Sequence, residues 1–124
     1  MSRRAELGIV AALALAALLV WALVPTYPNY DAYYHLVWGR ELLDGVSPTF
    51  EAYKAPTQHP LFVAVAALLG AVIGQDADRA LVLLTALSLV AVIWAVFRTG
   101  RAVFGLWPGV VAGALTGSSF ALLL

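Results

Sequence analysis

No cysteine occurs in the chain, so neither disulfides nor thiolate metal sites are available to it. Charge is almost as scarce. Only 11% of the 124 residues are Asp, Glu, Lys or Arg, against about 25% in a water-soluble domain. Net charge is zero and no basic run exists, which removes the electrostatic footprint that a nucleic-acid partner needs. Zinc-ligand spacing, a phosphate-cradling glycine loop and a serine-nucleophile elbow are also missing. These absences leave a chain that expects no metal and no cofactor.

What is present is apolar, at 63% of the residues, and the few charges are segregated. The stretches 7–24, 80–97 and 103–124 carry none. A helix needs roughly 20 apolar residues to cross about 30 Å of hydrocarbon. The composition therefore predicts an all-α integral membrane protein whose obligatory partner is the lipid bilayer. About three transmembrane helices are expected, over 7–24, 80–97 and 103–124, with one or two juxtamembrane interfacial helices in an external loop over 25–79.

The first span follows Arg3 and Arg4, as in a secretory signal. Its apolar run of eighteen residues ends in Val24-Pro25-Thr26 rather than a small-x-small cleavage site. An uncleaved signal-anchor is the expectation, with a cleaved signal as the alternative. Two arginines before this run and none just after place the N-terminus in the cytoplasm by charge bias, and the loop over 25–59 outside.

Tyr27 to Leu61 is the one long polar stretch. It holds both histidines, the single lysine, all five tyrosines and the acids Asp31, Glu41, Asp44 and Glu51. A short helix is expected from Asp31 to Asp44, with Asp31 as N-cap, Gly45 just past the C-terminus, and Tyr34, Val37, Trp38 and Leu42 as its apolar face. Residues 46–58, with Pro48 and Pro56, read as a loop. Pro60 opens a further helix to Gly74, about 22 Å long and short for a span. If it crosses, Arg98 and Arg101 end outside; if it lies along the outer surface, they fall inside with Arg3 and Arg4. The charge bias favours the interfacial arrangement.

Between 103 and 124, Gly105, Gly109, Gly113 and Gly117 recur every four residues. Such a strip lets helix backbones approach closely in a membrane and implies a further transmembrane helix, of this protein or a partner, against it. The chain ends on three leucines without loop, charge or cap, and is expected to be the N-terminal fragment of a longer protein.

Chemistry concentrates in the polar stretch. Asp31, at a helix start beside Tyr30, Tyr33 and Tyr34, suits a general base because the helix N-terminus favours its ionised form; its plain alternative is a capping role. His35, four residues on, shares that helix face and can orient the carboxylate or meet a phosphate; otherwise it is an interfacial histidine facing water. Arg40 and Asp44 are spaced to pair. Lys54 is a compact cation able to meet a phosphate, and His59 is held extended by Pro60. Tyr33, Tyr53 and Phe50 can stack on a sugar or anchor the loop in the interface.

The order of these pieces carries a family resemblance. An apolar anchor precedes Asp31-Ala32-Tyr33-Tyr34. A short helix ends Leu42-Leu43-Asp44-Gly45, and a proline-containing loop leads to Gln58-His59-Pro60-Leu61. Asp78-Arg79-Ala80-Leu81, a span, and Arg98-Thr99-Gly100-Arg101 follow. This resembles the start of the polytopic glycosyltransferases of the C superfamily, in particular family 39-like members that use polyprenyl-phosphate sugars. The resemblance implies that Asp31 is the active-site acidic residue of the first external loop, with Ala32 where many relatives carry a second acid. His59-Pro60-Leu61 takes the place of a His-Pro-Pro-like element, its second proline replaced. The expected substrate site is then Tyr33, His35, Arg40, Tyr53, Lys54 and His59. The expected partners are a polyprenyl-phosphate-linked sugar donor and an acceptor glycan, lipid or protein at the outer face of a bacterial plasma membrane. Relatives are several hundred residues long, so these 124 residues alone are expected to be inactive.

Two other classes remain open on the sequence. One is a small membrane interaction protein packing through its glycine face. The other is a piece of a transporter, disfavoured because no charge lies within a span.

Overall fold

A computed structural model describes residues 2–48, 50 and 54–119. Five α-helices account for most of them: α1 (Arg3–Leu23), α2 (Tyr30–Leu43), α3 (Pro60–Ile73), α4 (Ala77–Phe104) and α5 (Leu106–Ser118). A single 3₁₀ turn, Gly74–Asp76, links α3 to α4. No strand occurs among the described residues. Two stretches are long and apolar enough to cross a bilayer: α1, and Pro60–Phe104, which contains α3 and α4. The chain forms two units, residues 25–82 and residues 2–24 with 83–119.

In the unit of 2–24 and 83–119, Ser2 opens α1 by accepting a hydrogen bond from the Ala5 amide at 3.2 Å. Its 21 residues span about 31 Å at 1.5 Å each, a match to the hydrocarbon core. None of them is buried; Leu15, Leu19 and Leu23 lie exposed on a helix without charge beyond its first two turns. An apolar surface of that length suits a lipid environment.

α4 is longer than the charge-free stretch 80–97 implied, with 28 residues. It carries Arg98 and Arg101 inside the helix and takes in Val103 and Phe104 as well. The stretch expected as a single span over 103–124 is thus divided at Gly105 in its described part, and 120–124 lie outside the described residues. Gly105, at φ +99°, breaks the backbone between α4 and α5, and this left-handed conformation is one that glycine adopts without strain. Pro108 follows in the first turn of α5, where no intrahelical N–H is needed. The described part of α5 has 13 residues, about 20 Å, shorter than a bilayer.

The glycine strip does meet another helix, and that helix is α4. A Cβ at Gly109 would stand 2.7 Å from the Arg101 amide nitrogen and 2.8 Å from the Phe97 carbonyl oxygen. At Gly113 it would meet the Phe97 Cβ at 3.3 Å, and at Gly117 the Ile93 Cδ1 at 3.3 Å. Gly105 has no such neighbour and serves the turn instead. Since backbone atoms cannot rotate away, Gly109→Leu will separate the two helices. The expected loss is at least about 1–3 kcal/mol, read as earlier thermal unfolding in detergent. Val111→Leu, at a position 55% exposed, serves as the control.

In the unit of 25–82, Asn29 rather than Asp31 caps α2. The Asn29 side-chain oxygen accepts from the Ala32 amide at 2.9 Å, so Tyr30 is the first helical residue and Asp31 the second. The other end follows expectation. Gly45, at φ +73°, donates to the Leu42 carbonyl at 3.1 Å and Val46 donates to the Glu41 carbonyl at 2.8 Å, a Schellman closure. No Arg40–Asp44 ion pair forms among the described residues.

The buried face of α2 also differs from the expected one. His35, Leu36, Trp38 and Gly39 are buried, while Val37 and Leu42 are 41% and 48% exposed. Close backbone approach explains the shift: a Cβ at Gly39 would lie 2.7 Å from the Ala67 amide nitrogen of α3. His35 meets Phe62, Gly39 meets Ala66 and Ala67, and Leu43 meets Gly70. Contacts that advance together along both helices mean that α2 and α3 run parallel, with residues 44–59 returning between them. Leu36, Ala66, Ala77 and Leu81 form the core beneath this pair. α3 keeps its expected bounds, from Pro60 at its first turn to Gly74 at φ +72°.

Candidate active site at the paired helix starts

Because α2 and α3 are parallel, their amino ends lie at the same end of the pair. Each helix start carries a partial positive charge, which favours anions. Asp31 sits in the first turn of α2 and is exposed. Its side chain is released from capping, which Asn29 performs instead.

His35 lies one turn further and is 1% exposed, against the expectation of a histidine facing water. Its Nδ1–H donates to the main-chain carbonyl of Asp31, not to the carboxylate. A carbonyl only accepts, so this bond fixes the tautomer with the lone pair on Nε2. That nitrogen is buried without a hydrogen-bond partner among the described residues. The ring stacks on His59 at 5.4 Å and 18°, and meets the edges of Phe62 at 4.9 Å and Trp38 at 5.2 Å. His59, the N-cap residue of α3, makes no side-chain cap and is exposed. The two histidines, one inside and one at the surface, thus join the two helix starts.

The returning loop is tied to the same end. The Tyr30 hydroxyl donates to the Lys54 carbonyl at 3.0 Å. Lys54 adopts φ +64°, a left-handed conformation uncommon for a residue with a side chain. Hydrogen bonding to Tyr34, then desolvation and the nearby Tyr34 and Asp31 groups, raise the Tyr30 pKa above its ordinary 10.0. A raised phenol favours the folded state while protonated, so this tie is complete below pH 10 and lost as pH rises beyond the raised value. Rings continue inward from it: Tyr30 to Tyr34 at 4.9 Å, Tyr34 to Trp38 at 5.6 Å, and Trp38 to Phe50 at 5.0 Å.

His35 and His59 are therefore in ring contact, with Asp31 joined to them through its main-chain carbonyl and Lys54 tied to Tyr30 through its own. Arg40 is apart from them. Nine residues after Asp31, it lies about 13 Å along the axis and half a turn around it. Tyr33 is exposed on the side of α2 away from Asp31, two residues being 200° of helix. Tyr53 and Glu51 lie outside the described residues. No group of three potential metal ligands occurs among the described residues.

Reading the sequence missed Phe62 and Trp38 as the walls around His35. It also missed Glu6, whose carboxylate accepts from the Trp94 indole N–H at 2.9 Å and from Arg101 at 3.2 Å, with Arg98 at 3.6 Å. The available signal was a lone acid at the start of one apolar helix and paired arginines at the end of another.

No protein-family model, characterised protein or solved structure matches the chain.

Proposed function

We propose that the chain is the N-terminal part of a membrane glycosyltransferase that moves a sugar from a polyprenyl-phosphate donor to an acceptor hydroxyl on the outer face. The observation that carries this reading is the exposed Asp31 carboxylate at the shared start of α2 and α3. Asp31 takes the proton of the acceptor hydroxyl as its oxygen bonds to the sugar's anomeric carbon. The bond from that carbon to the phosphate oxygen breaks, and polyprenyl phosphate leaves with the electron pair. The developing phosphate charge is met by the positive helix starts, the Lys54 ammonium and the exposed His59 ring. Buried His35 positions the Asp31 backbone and supports His59 by stacking. Arg40 and Tyr33 have no part in this arrangement.

Support for the topology comes from Glu6. It lies in the first turn of α1 and bonds residues near the end of α4. α1 and α4 are thus antiparallel, and Arg3, Arg4, Arg98 and Arg101 share one side. Charge bias assigns that side to the cytoplasm, leaving α2 and α3 outside. α3 then rests at the interface without crossing, as its 14 residues, about 21 Å, favour. The glycine face of α5, covered by α4, is not open to a partner helix, which favours the enzyme over an interaction protein.

The test is a transfer assay on the full-length gene product in proteoliposomes, with polyprenyl-phosphate-linked hexoses and pentoses added outside. Release of polyprenyl phosphate with labelled sugar in the acceptor is expected. Failure to turn over any such donor contradicts the reading.

A further inference from the structure

Two cavities adjoin in the unit of residues 2–24 and 83–119, at the end of the helices opposite to where α1 runs into Pro25. The first, about 300 Å³, is a groove between α1, α4 and α5 lined by Ile9, Leu13, Ile93, Phe97, Val110 and Ala114. The second, about 570 Å³, is lined by Arg3, Arg98 and Arg101 around Glu6. Glu6 and Trp94 line both, so the apolar groove opens directly into the cationic cavity.

The charges here do not balance. Three guanidinium groups surround a single carboxylate, and the positive start of α1 adds to them. Glu6 is committed to Trp94 and Arg101, with only 12% of its side chain exposed. Arg98 lies over the Trp94 ring at 5.4 Å while 61% of its side chain remains exposed. Its orientation is thus held by the indole and by Glu6, 3.6 Å from its Nε, which leaves its two terminal nitrogens for another anion. An arginine fork suits a phosphate because two of its N–H groups match two oxygens.

We propose that this pair of cavities binds an anionic glycerophospholipid of the leaflet that contains the start of α1. Arg3, Arg98 and Arg101 hold its phosphodiester, and one acyl chain lies in the groove beside Ile9, Leu13 and Phe97. The charge excess selects the headgroup, and the continuous apolar groove selects a molecule with a tail. A further protein helix would satisfy the groove but not the cations. This site shares no residue with the one around Asp31 and is independent of the sugar-transfer reading.

Native mass spectrometry of the full-length protein tests it, in micelles with equal dioleoyl phosphatidylglycerol and dioleoyl phosphatidylcholine. The expected result is about tenfold greater retention of phosphatidylglycerol, in keeping with the pull of a few arginines on anionic lipid. Arg3→Gln with Arg98→Gln should abolish the preference while leaving the Glu6–Arg101 pair. Arg98→Lys, which keeps the charge, should retain most of it and guards against a folding defect in the double variant. Excess glycerophosphoglycerol, the same headgroup without tails, should not displace the lipid. Equal retention of both lipids, a preference that survives loss of both arginines, or displacement by the tail-free headgroup would each overturn the proposal.

Discussion

Asp31→Asn in the full-length gene product will lower the rate of sugar transfer at least about a hundredfold, within the 10²–10⁴ that a positioned general base contributes. The substitution is nearly isosteric and removes only the basic oxygen. Three observations make the loss chemical rather than structural. Asn29 caps α2, so Asp31 is not needed to start the helix. Asp31 is exposed, so no buried partner is stranded. His35 binds the backbone carbonyl of residue 31, which the substitution keeps. The donor KM should change little, because the phosphate contacts assigned to Lys54 and His59 remain. Transfer at more than half the original rate, with helicity unchanged, would remove Asp31 from the reaction.

Trp38→Ala will be the most damaging single change to the fold of the loop. Trp38 is 1% exposed and meets Tyr34, His35 and Phe50 at once. It therefore joins α2 to the returning loop and closes one wall around His35. Truncating a buried Trp costs about 3–5 kcal/mol, a large share of the roughly 5–15 kcal/mol that holds a typical protein together. The expected readout is rapid proteolysis within residues 44–58 and a clearly lower unfolding temperature in detergent. Trp38→Phe should restore about half the loss, since it keeps an aromatic edge toward Tyr34 and His35. A loss under about 1 kcal/mol for Trp38→Ala would mean that the cluster does not hold the loop.

The all-helical class and the long apolar segments were legible because charge segregation is a property of composition. Helix ends were legible where a residue has a unique backbone role: Pro60 at a first turn, Gly45 and Gly74 beyond a last one. The start of α2 was misplaced by two residues because Asn and Asp cap equally well, and only the geometry shows which one reaches the Ala32 amide. The face of α2 was misjudged because hydrophobicity was the guide, whereas Gly39 lies where α3 comes closest. The break at Gly105 was hidden by apolarity that continues on both sides of it. The parallel course of α2 and α3, and with it the stacking of His35 on His59, depends on contacts that no local pattern encodes. The Glu6–Trp94 bond, across 88 residues, belongs to the same class.

Single-cysteine mapping is the most direct measurement, and the chain's lack of cysteine makes it clean. Thr57→Cys and Thr99→Cys would each be treated in intact cells with a maleimide that does not cross membranes. Labelling of position 57 with protection of position 99 is required if α2 and α3 lie outside and the arginine-bearing ends of α1 and α4 lie within. Labelling at both positions would mean that α3 crosses the bilayer, and protection at 57 would put Asp31 on the wrong side for an outer-face transfer.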